Sequence, residues 1–93
     1  MKLPIAALAA CLAMPAHAQT CGERSTLIAN LFDRFGETRQ SIALDRQNQA
    51  VEVFANHESG TWTITVTRPD GVMCMVAEGE AYQAISDPGG EPA

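Results

Sequence analysis

The run Gly60-Thr61-Trp62-Thr63-Ile64-Thr65-Val66-Thr67 leaves little room for anything but a strand. Trp62, Ile64 and Val66 alternate with Thr61, Thr63, Thr65 and Thr67, the period of two that a half-buried strand requires. Pro69-Asp70-Gly71 follows, a turn in which proline presets φ and glycine accepts φ > 0. The return segment places Val72, Cys74 and Val76 on one side and Met73 and Met75 on the other. The spacing predicts a β-hairpin, and Cys74 offers a covalent tie from that hairpin to the start of the mature chain.

What precedes the mature chain has the form of a secretory signal peptide over residues 1–18. Lys2 gives a positive start, Ile5 to Met14 is apolar, and Ala16-His17-Ala18 is a small-x-small cleavage site behind Pro15. The apolar run is shorter than the roughly 20 residues a membrane span needs. Leu8-Ala9-Ala10-Cys11 has the form of a lipobox. Cleavage there leaves too short an apolar core ahead of Cys11, so Gln19 is the expected first residue. Localisation is then periplasmic or secreted. Two cysteines remain, Cys21 and Cys74. An even pair in an exported chain reads as a disulfide.

The whole chain has a net charge of −5, and Lys2 is its only lysine. Loss of residues 1–18 therefore leaves the domain one unit more acidic, with arginine as its only full-time cation. Such a domain is a poor binder of nucleic acid and of anionic lipid surfaces, both of which are recognised through positive charge. No nucleic-acid partner and no membrane insertion after cleavage are expected.

From Cys21 to Phe35 the pattern is helical. Leu27, Ile28, Leu31, Phe32 and Phe35 form one apolar stripe at the 3.6-residue period, Glu23 sits in the first turn and Gly36 stands at the C-cap. Asn30, Asp33, Arg34 and Glu37 fall on the wet side. Thr38 to Asp45 reads as a strand with Ile42 and Leu44 inward, Arg46-Gln47-Asn48-Gln49 as a connection, and Ala50 to Asn56 as a second strand with Val51 and Val53 inward. His57-Glu58-Ser59-Gly60 is the next turn. Ala77 to Ile85 begins as strand and is expected to end in a short helical turn carrying Tyr82 and Ile85. Residues 86–93 are a Pro/Gly tail expected to be disordered.

The fold class that follows is α+β. A single domain over 19–85 has one N-terminal helix packed on a four-stranded antiparallel meander, with the helix start tied to the last strand by Cys21–Cys74. The expected core joins Leu27, Ile28, Leu31 and Phe35 to Ile42, Leu44, Val51, Val53, Trp62, Ile64, Val66, Val72, Cys74 and Val76.

The early cysteine, Gly36-Glu37, Val51-Glu52-Val53-Phe54, Gly60-Thr61-Trp62-Thr63-Ile64, Pro69-Asp70-Gly71, the cysteine three residues on, and Gly79-Glu80 together give the chain a further look. It resembles a group of short exported proteobacterial proteins over most of the mature length. The resemblance implies export and a disulfide, and it implies no chemistry.

The sheet face opposite the expected core carries Glu52, Phe54, Met73 and Met75 among threonines. A solvated antiparallel face is normally polar. An aromatic ring and two adaptable methionines there point to a contact surface for a protein partner or a second copy of the chain, unless Tyr82 and Ile85 fold over it. The expected function is thus a small non-catalytic protein-binding or accessory module with no cofactor. Two alternatives use other residues. A ligand or copper carrier would use His57, Met73 and Met75, because soft sulfur ligands select Cu(I). Against it, alternation turns both methionines away from Cys74, so the three sulfurs do not converge, and the His57 loop would have to fold over the methionines. A very small hydrolase-like enzyme would use Glu52 and His57 as its acid–base pair. The chain has no phosphate loop, dinucleotide fingerprint or zinc spacing.

Overall fold

The structure, a computed structural model, describes residues 19–85. The expected signal peptide with Cys11 and the expected tail at 86–93 lie outside the described residues.

The order of elements is β1 (Cys21–Glu23), α1 (Arg24–Phe35), β2 (Thr38–Leu44), β3 (Ala50–Ala55), β4 (Trp62–Thr67) and β5 (Val72–Gly79). Five strands form one sheet in the order β1-β5-β4-β3-β2, with every neighbouring pair antiparallel. The α+β class holds, and the strand count rises from the expected four to five. The extra strand comes from Cys21 to Glu23, expected as the first helical turn. These residues instead pair with β5, Cys21 opposite Cys74, Gly22 opposite Met73 and Glu23 opposite Val72. The disulfide joins Cys21 to Cys74 directly across that pair. It ties the strand before the helix, rather than the helix itself, to the last strand.

The helix begins where that pairing stops. Glu23 has extended backbone and serves as N-cap. Its carboxylate accepts from Thr26 N at 3.1 Å, Ser25 Oγ at 2.6 Å and Thr26 Oγ1 at 3.0 Å. The Ser25 hydroxyl, then the Thr26 hydroxyl and amide, hold the Glu23 pKa at about 2. At the other end Gly36 adopts φ +64. The Gly36 and Glu37 amides then return to Phe32 O and Leu31 O, satisfying carbonyls that the helix leaves free. Asn56 Nδ2 donates to Phe35 O at 2.9 Å, so the turn after β3 also closes the helix.

Both expected hairpins form, with Leu44 opposite Ala50 and Thr67 opposite Met73. Asn48 and Gly71 supply the positive φ values these turns need. Strand β5 continues through Gly79, and no helical turn follows it up to Ile85. Tyr82 instead donates its amide to Gly60 O and sets its ring edge-on to His57, with centroids 5.7 Å apart. Ile85 is exposed.

The largest departure from expectation is the side of the sheet that the helix covers. Its Leu27 and Leu31 pack on Phe54 and Met73, flanked by Ile28 and Met75. That is the face expected to be open. Topology explains the choice. Four antiparallel steps separate β1 from β2, so these two strands run parallel and α1 is the crossover between them. Crossovers of this kind are overwhelmingly right-handed, which selects one face for a given strand order. Strand β2 corrects the expectation a second time. Ile42 pairs with Glu52 and Leu44 with Ala50, so both share the helix side instead of the valine side. They lie beyond the reach of the helix and are 53% and 69% exposed.

Candidate functional site

Glu52, Phe54, Met73 and Met75, expected to form a partner surface, are placed under α1. Phe54 is 1% exposed, and Glu52 and Met73 are 0% exposed. Met75 is partly buried against the same cluster. The helix covers them, and Tyr82 and Ile85 do not. Glu52 is engaged within the fold. Arg24 grips it through Nε at 3.1 Å and Nη2 at 2.6 Å, and Arg39 Nη1 donates to it at 3.1 Å. Burial opposes ionisation of Glu52, but the hydrogen bonds and charges of Arg24 and Arg39 outweigh it and hold the pKa below the usual carboxylate range. This network pins the first helical turn and the edge strand β2 to the middle of the sheet.

His57 stands apart from that network. It lies in the turn beyond β3, where Nε2 meets Gln40 Oε1 at 2.7 Å and the ring meets Tyr82. Glu52 sits mid-strand beneath the helix. The structure does not bring this expected acid–base pair together. Nor does it set Met73 beside His57, since Met73 packs with Leu27, Leu31 and Phe54. Among the described residues, no group of three or more His, Cys, Asp or Glu is placed to hold a metal ion. No helix among them is long and apolar enough to cross a membrane.

Glu37 was expected on the wet side and is buried instead. Its Oε1 accepts from Thr63 Oγ1 at 2.8 Å. It lines a cleft of about 260 Å³ between the end of α1 and the Gly79 end of the sheet, together with Leu31, Phe35, Thr63 and Met75. Its position after a helix-ending glycine gave no signal of burial.

Among the described residues, helix α1 leaves the other side of the sheet without a cover. Register builds it from three transverse rows: Thr38–Ala55–Trp62–Gly79, Ser41–Val53–Ile64–Ala77, and Ala43–Val51–Val66–Cys74–Cys21. Val72 continues the last strand on that side. No charged side chain occurs in these rows. Val51, Val53, Ile64, Val66, Val72 and Cys74 are only partly buried, screened by one another. At one end the Trp62 indole lies across Gly79. A Cβ there would stand 2.7 Å from Trp62 Cζ2, so glycine is what admits the ring. The indole Nε1 donates to Glu80 O at 3.1 Å. Val51, Val53, Trp62, Ile64, Val66, Val72 and Cys74, expected in the core, belong to this layer facing away from the helix. Val76, also expected there, falls at the register shift in β5 and is 42% exposed.

Comparison with protein-family models, with curated proteins and with solved structures finds no match to this chain.

Proposed function

We propose that the protein is a small non-catalytic binding module of the periplasm or the extracellular space, and that it docks a protein on the open valine face. The observation that carries this reading is the chemistry of that face. Val51, Val53, Ile64 and Val66 form an uncharged apolar layer, and helix α1 packs on the opposite side. Exposed apolar surface that is contiguous, rather than scattered, marks contact sites on soluble proteins. The Cys21–Cys74 bond supports the export reading, because such bonds persist in oxidising compartments.

The proposal moves the contact surface from the Phe54 and methionine side to the valine side and keeps the expected class of function. It is tested by placing a photo-crosslinking side chain at Val53, and in a control at the exposed helix residue Asn30, in the cell that makes the protein. Crosslinks from Val53 that are absent from Asn30 support the docking face. Equal yields, or none from Val53, contradict it.

A further inference from the structure

Building on that docking reading, we infer that the occupant of the valine face is a second copy of this chain. The two sheets would pack face to face, with the helices on the outside. Two observations favour the second copy over an unrelated protein.

The first is charge. The full chain carries −5, so copies repel in most orientations. The three open rows contain no charged residue across β2 to β5. In a two-fold contact a residue on the axis meets its own copy, so a charge there would face its like. A residue of these rows that falls on the axis, such as Val53 or Ile64, meets its copy without that penalty. The three rows themselves carry no carboxylate; the one that borders them, Glu23 opposite Val72 at the β1 corner, is engaged by Ser25 and Thr26 as the helix N-cap. Glu37 and Glu52 are under the helix; Asp45 and Asp70 sit in turns and accept from Gln49 N and Val72 N.

The second is size. Four strands at ~4.8 Å and three rows at ~6.8 Å give a face of roughly 20 by 20 Å, about 500 Å² of accessible surface once rim side chains are counted. A pair would bury ~1,000 Å², at the lower bound for a specific interface. Two β-branched layers also match the ~10 Å separation at which aligned sheets pack.

An interface at that lower bound is a weak or transient one, so the test spans a wide concentration range. The test is sedimentation equilibrium of the disulfide-bonded protein from ~2 to ~500 µM. Wild type is compared with Val53→Thr/Ile64→Thr, which keeps β-branching on every strand, and with Ile42→Thr on the helix side. The expected result is a monomer–dimer equilibrium that the double variant weakens at least tenfold and Ile42→Thr leaves unchanged. Denaturation at low concentration checks that the double variant folds. A wild type that stays monomeric at ~500 µM overturns the inference, as does a dimer that the double variant leaves intact. Monomeric wild type combined with a Val53 crosslink to a different protein removes the second copy and keeps the docking face. Monomer with no Val53 crosslink removes both.

Discussion

The two faces of this sheet are cut from the same four long strands, and their chemistry is reversed from the usual arrangement. The covered side holds Glu52, Thr63, Thr65 and Thr67 beside Phe54 and Met73. The open side holds valine, isoleucine and a disulfide. Apolar count alone would put the helix on the second. The covered side instead has the deep side chains, an aromatic ring and a flexible thioether, which interlock with Leu27 and Leu31. Two of its polar groups are answered by side chains from other elements, Glu52 by two arginines and Thr63 by Glu37. Valine and isoleucine give a flat layer suited to another flat layer. The lesson is that burial by the chain's own helix and apolar character are separable. When they separate, the unclaimed apolar side is the place to look for a partner.

The contrast is broken most forcefully from the covered side. Phe54→Ala should cost about 4 kcal/mol in urea denaturation, because it empties a fully enclosed site. Ile64→Ala on the open face should cost the dilute protein far less. Equal losses would mean that the two faces are equally buried.

Replacing both Cys21 and Cys74 with alanine comes next. The bond closes a separation of 53 residues and should contribute about 4 kcal/mol or somewhat less, chiefly by restricting the unfolded chain.

Glu52→Gln should cost about 2 kcal/mol, the scale of charge-assisted bonds to a buried acceptor. Acid should act in the same direction. Glu52 has a folded pKa below its ordinary value of 4.5, and Glu23 is held at about 2. Their stabilisation is therefore present above the unfolded-state pKa and is lost as pH falls from about 4.5 through the folded values. Unfolding free energy measured from pH 7 to pH 2 should drop across that window, and less in Glu52→Gln.

The smallest effect sharpens the picture by having the opposite sign. The hydroxyls of Thr65 and Thr67 are buried without a hydrogen-bond partner. Thr65→Val keeps the shape and removes the orphan group, so it should raise stability by about 1 kcal/mol. A loss of stability would show that the Thr65 hydroxyl is bonded after all.

Local features of the fold were legible in the sequence, and relations between distant segments were not. Pro69-Asp70-Gly71, the alternation through Trp62 to Val66, Gly36 as helix stop and the Cys21–Cys74 pair each carry their signal within a few residues or by cysteine count. The start of the helix was lost because Cys21 to Glu23 is compatible with a first turn, and only β5 makes it a strand. The face was lost because alternation names two sides and cannot say which one a crossover helix will take. Ile42 and Leu44 were assigned to the wrong side because parity across a loop depends on register, here Ile42 opposite Glu52. The burial of Glu52 rests on Arg24, 28 residues away. The unusual mix of Phe54, Met73 and Met75 among threonines was visible as a surface needing cover. Its cover proved to be the helix, and that transfers the search for a partner to the other side.

The most direct single test is a methyl nuclear Overhauser experiment on the disulfide-bonded protein. Leu27 and Leu31 methyls should show contacts to the Met73 methyl and the Phe54 ring, and none to Val53, Ile64 or Val66. Contacts from Leu27 and Leu31 to Val53 and Ile64, with Met73 free of them, would place the helix on the valine face and leave no open apolar surface to bind with.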